Sequence, residues 1–133
     1  MAKRYLINLF LLIALLCGFS SCEEDPYYDP YEEITYDLCY YVWTDGFIVD
    51  GVECEQQLTF NPDGRGWDYR TYYSYGSEID YEEIPFVWEW DSYYTDKLYM
   101  DYEDGETVLE RIQIVGRTLD CVYNGERVTF KAN

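Results

Sequence analysis

Residues 53–75 read ECEQQLTFNPDGRGWDYRTYYSY, and the fold follows from this stretch. Cys54, Gln56, Leu58 and Phe60 share one face while Glu53, Glu55, Gln57 and Thr59 share the other, the period of two that a half-buried strand requires. Asn61-Pro62-Asp63-Gly64 follows, where proline sets φ for a turn and glycine accepts the positive φ that closes it. Trp67, Tyr69, Thr71, Tyr73 and Tyr75 then fall together on one face of a second strand, and their aromatic character predicts that this face points inward. The reading is an antiparallel hairpin with Gln56 and Thr71 as polar groups on its inward side.

The same grammar extends from residue 35 onward, with turn signals every 8–12 residues and no helical period. An acidic loop leads to Phe86, Trp88 and Trp90, which alternate with Val87, Glu89 and Asp91; Leu98, Met100 and Tyr102 repeat the pattern. Asp104-Gly105 and Asn124-Gly125 are signals for type I′ hairpins, which need positive φ at both central positions. They bracket strands at 106–115 and 117–123, joined at Gly116, and a last strand at 127–131 turns Val128 and Phe130 inward. With a first strand at 37–44 the total is eight, all with short connections. The predicted class is all-β: an antiparallel up-and-down meander over residues 35–133, closed as an eight-stranded barrel so that no edge is left exposed. Such a barrel holds packed side chains or one small ligand.

The chain ahead of the domain reads differently. Lys3 and Arg4 precede an apolar stretch at 5–16, interrupted only by Asn8, and then Phe19-Ser20-Ser21-Cys22. The stretch is too short for a bilayer core of about 30 Å, so residues 1–21 are expected to be a cleaved secretory signal. The segment resembles a bacterial lipoprotein signal, which implies lipidation of Cys22 and outer-membrane localisation. Residues 23–33, EEDPYYDPYEE, hold two prolines and no aliphatic residue, and the span 22–34 is read as an extended acidic tether. Acids directly after the lipidated cysteine resemble the export signal for the cell surface in Bacteroidota; a plain charged spacer is the other reading.

The domain resembles the small lipocalin-like lipoproteins of Bacteroidota through LCYYVW at 38–43, LTFNPDGRG at 58–66, FVWEW at 86–90 and the closing segment 119–130 with its Asn-Gly hairpin. The resemblance implies a barrel that binds small apolar molecules; it names no activity.

Composition narrows the function further. Removing residues 1–21 removes Lys3 and Arg4 and no acid, so 27 acidic side chains face seven basic ones, a net charge of −20. That surface repels phosphate backbones and excludes nucleic acid as a partner, and attachment to a membrane must come from lipid on Cys22. The absence of histidine eliminates Ser-His-Asp and Cys-His catalysis and imidazole metal sites. Asp80, Glu82, Glu83, Glu89 and Asp91 are dense enough for paired-carboxylate hydrolysis, but in so acidic a chain a solvated surface is the simpler reading. Asp101, Glu103, Asp104 and Glu106 lack the spacing of a calcium loop. No enzyme activity, metal or cofactor is expected.

Trp67, Tyr69, Tyr73, Trp88 and Trp90 are the candidate ligand-binding residues, as an aromatic lining for a small ligand in the barrel; a packed core built from the same rings is the alternative. A filled barrel would make the protein an interaction module for a protein or glycan, acting through its outer surface. Cys39 and Cys54, on adjacent expected strands, are the pair that a disulfide would join, with Cys121 apart; all three as small buried hydrophobes is equally open.

Overall fold

In the computed structural model, residues 29–132 are described. The expected signal, Cys22 and most of the tether lie outside them. Among the described residues, one helix, α1 (Pro30–Tyr40), precedes eight strands: β1 (Trp43–Val49), β2 (Val52–Phe60), β3 (Arg65–Ser74), β4 (Ser77–Trp90), β5 (Leu98–Tyr102), β6 (Gly105–Val115), β7 (Thr118–Tyr123) and β8 (Glu126–Ala132). Each strand pairs antiparallel with the next, and β8 returns to β1, so the meander closes as an eight-stranded barrel. The fold class is as the alternation predicts.

Helix α1 corrects two expectations, an extended tether to residue 34 and a first strand at 37–44. Asp29 caps the helix by accepting the Tyr31 N–H at 2.9 Å, Pro30 occupies its first turn, and Glu32 and Glu33 sit where the helix dipole favours acids. Ile34 and Leu38, four residues apart, then face the barrel together. Tyr36 and Tyr40 stay exposed, so the apolar stripe is narrow and the helical period is faint in the sequence.

The helix lies over one end of the barrel and completes the core there. Leu38 of the helix is buried in one core cluster with Trp43, Leu58, Phe60, Trp88 and Leu98, and the Trp43 indole N–H donates to the Leu38 carbonyl at 2.9 Å. Phe60 meets Phe86 and Trp88 edge-on, with ring centroids 5.4 and 5.7 Å apart, the geometry that aromatic quadrupoles favour. Tyr31 donates to the Asp91 carbonyl at 2.6 Å, and the Trp90 indole donates to Thr35 Oγ1 at 2.8 Å. The helix is therefore part of the domain.

Asp91 organises the β4–β5 connection beside it, accepting the Tyr93 and Tyr94 N–H groups and the Tyr99 hydroxyl at 2.7–2.9 Å. These donors, Tyr94 foremost, hold its carboxyl below the ordinary aspartate value. A lowered folded value means that the stabilisation is complete above the unfolded-state value of about 3.9 and is lost as pH falls through the folded one. Asp91→Asn is expected to flatten that acid limb in a series of melting temperatures against pH.

At the opposite end the hairpins are tight. Asp50-Gly51, Tyr75-Gly76 and Asn124-Gly125 all have positive φ at both residues, as type I′ turns require. Asp104-Gly105 departs from expectation: Gly105 alone is positive, at 156°, so this hairpin closes by a different turn.

Register also corrects the inward face of β3. Phe60 pairs with Gly66, Leu58 with Asp68, Gln56 with Arg70 and Cys54 with Tyr72. Since paired residues share a face, Gly66, Asp68, Arg70 and Tyr72 point inward and Trp67, Tyr69, Thr71 and Tyr73 outward. Gly66 is required where it stands, because a Cβ there would lie 2.3 Å from Phe86 Cζ and 2.5 Å from the Thr59 carbonyl oxygen. Gly66→Ala is expected to cost about 1–3 kcal/mol by overpacking, measured by chemical denaturation. The expected acidic loop before Phe86 is instead the first half of β4, paired with β3 as a long exposed hairpin.

Candidate functional site

Apolar alternation fills the barrel from the helix end to its middle, but several inward positions nearer the open end are polar. Asp68 is completely buried, and its carboxylate accepts four hydrogen bonds: from Gln56 Nε2 at 3.0 Å, from Tyr102 Oη at 2.8 Å, and from Arg70 through Nε at 3.3 Å and a terminal nitrogen at 3.0 Å. The carboxylate is thus satisfied by charge and by hydrogen bonds, the condition under which a buried acid is tolerated. Burial works against the charge on Arg70, yet the hydrogen bonds and field of Asp68 carry its pKa above the ordinary arginine value. Burial, with Tyr123 and Asp68 adding to it, pushes the Tyr102 phenol up as well, so it remains a donor.

Above this cluster the open end forms a cup of about 370 Å³. Phe47, Val128 and Phe130 supply an apolar wall, Gln56, Arg70 and Tyr123 a polar floor with Asp45 level with Gln56, and Glu126 a carboxylate beside the β7–β8 turn. Five of the strands contribute, which is why no single segment of sequence announces the site. Arg70 has five N–H donors and uses two on Asp68, leaving others for a ligand. The cup can receive an apolar body and orient an oxygen on that body against a fixed cation.

The five aromatic residues expected to line one pocket are instead divided between the two faces of the sheet. Trp88 is buried in the packed core, donating to the Asn61 and Arg65 carbonyls at 3.0 and 3.2 Å, and thereby ties down the β2–β3 turn. Trp90 holds α1. Trp67, 38 % exposed, stacks on Tyr69 with centroids 6.1 Å apart on the outer face, where Tyr73 also lies. Beside Trp67 runs an outer groove of about 420 Å³ that includes Pro85, Val87, Asp101 and Glu103. Of the two polar handles, Gln56 reaches the cup and Thr71 is outside.

Asp68, Arg70, Phe47, Tyr102 and Tyr123 were not among the expected site residues. The signal for the first two was parity: counting by twos from Phe60 across the five-residue connection to Gly66 places Asp68 and Arg70 inward.

Cys39, Cys54 and Cys121 are free thiols, which corrects the expected Cys39–Cys54 pairing. Cys39 lies on α1 beside Pro62, whereas Cys54 lies six residues back along β2 from Phe60, about 20 Å toward the open end at about 3.3 Å per residue. Burial pushes the Cys121 thiol up to about 12 and, with Asp63 adding to it, the Cys39 thiol up to about 11. Neither is an activated nucleophile. Among the described residues no group of acids and cysteines is arranged to hold a metal ion, and no helix is long and apolar enough to cross a membrane.

The chain matches no protein-family model, no curated protein and no solved structure.

Proposed function

We propose that the protein is a lipid-anchored, surface-facing lipoprotein of the outer membrane, of lipocalin-like type, that binds a small amphiphilic molecule and carries out no chemistry. The observation that carries the binding reading is the cup: an apolar wall faces Arg70, whose orientation is set from beneath by a buried carboxylate. A guanidinium held rigidly by Asp68 has little conformational freedom left to lose when a ligand binds. The dye 1-anilinonaphthalene-8-sulfonate has an aromatic body and an anionic oxygen group, and it is expected to brighten on entering the cup. Val128→Trp should fill the space and weaken that binding at least tenfold while near-ultraviolet circular dichroism shows an intact fold. Equal binding by both proteins counts against the cup.

The anchor has its own test. Mature protein from a lipoprotein-processing bacterial host is expected to carry the mass of attached acyl chains and to enter a detergent phase, and Cys22→Ser to lose both properties. A wild-type protein without acyl mass removes the membrane from this reading.

A second reading rests on the outer face. The exposed Trp67–Tyr69 stack beside a groove with Asp101 and Glu103 suits a neutral glycan, whose ring faces stack on indole while its hydroxyls donate to carboxylates. Trp67→Ala would then abolish glycan binding and leave the dye in the cup unaffected.

A further inference from the structure

The barrel closes through a seam that is paired for only part of its length. β1 meets β8 at Trp43↔Ala132 and Thr44↔Lys131, and there the pairing ends. β1 continues through residues 45–49 and β8 begins at 126, so five positions on each strand face the seam without a partner across it, although each strand is fully paired on its other side. Unpaired strand edges present ready-made donors and acceptors to any extended chain. Inward-pointing Asp45 and Glu126 flank the open stretch and favour water in it over closure.

Cavities lie on both sides of this stretch. Outside is a groove lined by Gly46, Ile48, Glu53, Glu55, Thr129 and Lys131 among others, about 630 Å³ in volume, in which the carboxylates outnumber the single cation, and inside is the cup. A strand entering the seam therefore finds room for side chains on both of its faces. Its inward residues would meet Phe47, Val128 and Phe130. Its outward residues would lie, on the β1 side, near Gly46, which has no side chain and leaves the Glu55 carboxylate within reach on the neighbouring strand, and near Ile48, with Glu53 beside it; on the β8 side they would lie near Thr129, between the outward cations Arg127 and Lys131, so the basic residues of the strand pair toward β1 and β2.

We infer that the β1–β8 seam docks an extended segment of another protein in which apolar residues alternate with lysine or arginine. Charge decides among the occupants. A second copy of this chain would bring another net charge of −20, and the chain's own residues 23–28 would add Glu23, Glu24 and Asp25 to an already acidic groove. A basic alternating strand gains backbone pairing, apolar burial and opposite charge at once, the combination by which strand addition achieves affinity and specificity. The inference is independent of the small-ligand reading, because it rests on the two backbone edges.

The test uses the mature protein and two capped heptapeptides, one alternating lysine with valine and the other glutamate with valine. The lysine peptide is expected to bind at least tenfold more tightly by calorimetry at low salt. It should also slow amide exchange at least tenfold within residues 45–49 and 126–130, while residues 65–74 stay unchanged. Replacing Glu53→Gln and Glu55→Gln together, on the solvent-facing side of β2, should weaken binding several-fold with the fold intact. Three results would overturn the inference: seam amides already as protected in the free protein as those of paired strands, lysine-peptide binding without seam protection, or equal binding of the glutamate peptide.

Discussion

Arg70→Leu is expected to destabilise the barrel by about 3–5 kcal/mol, measured by urea denaturation at neutral pH. The substitution leaves Asp68 fully buried without its cation, and an uncompensated charge in that setting costs several kcal/mol. A surface pair would not behave this way. Arg70 is only partly reached by solvent, with its side chain 29 % exposed, and its partner is not reached at all. The double variant Asp68→Leu with Arg70→Leu is expected to recover part of the loss, since apolar replacement of both partners removes the stranded charge. It should not recover everything: the Tyr102 hydroxyl would then be a buried donor without its acceptor, at about 1–3 kcal/mol, and the Gln56 amide would keep only its 3.5 Å hydrogen bond to Tyr123 Oη. A single variant no less stable than wild type would show that Asp68 is not charged beneath the cup, and the orientation of Arg70 would need another cause.

Trp43→Ala is expected to cost a comparable 3–5 kcal/mol, the range for truncating a buried aromatic residue. Trp43 is fully buried where β1 leaves the helix, and it touches both parts of the domain. Its ring packs in the core and its indole N–H holds the Leu38 carbonyl near the last turn of α1. The variant should lose the protection of α1 amides from exchange before that of the barrel strands. A cost near that of a surface substitution would mean that α1 is dispensable to the domain.

The outer aromatic face and the inner polar cluster show what the sequence could and could not reveal about a site. Aromatic character predicts that residues 67, 69 and 73 point inward, because rings usually seek the core, yet here a barrel already filled by Phe60, Phe86, Trp88, Tyr102 and Phe130 has no space for them. For the converse reason, the charges of Asp68 and Arg70 predict an outward face, since charged residues seldom occupy inward positions unless paired. Their pairing depends on Gln56 from β2 and Tyr102 from β5, more than thirty residues from Asp68 in the latter case, and no local pattern reports such a convergence.

Alternation together with the short hairpin connections determined that most of the chain from residue 53 onward forms antiparallel strands in sequence order, the first half of β4 excepted, because a period of two buries one face of each segment and a tight turn joins only antiparallel neighbours. Composition likewise determined the acidic exterior and the absence of histidine chemistry. The tertiary structure decided everything that depends on parity and on partners distant in sequence. It made residues 30–40 a helix, although their period is weak, because Ile34 and Leu38 find a barrel end to cover. It turned Trp67 outward and Asp68 inward through the register set by the Phe60↔Gly66 pair, where only glycine leaves room for the Phe86 ring. It also ended the β1–β8 pairing after two positions, an outcome that depends on how eight tilted strands meet at closure and that neither strand specifies alone.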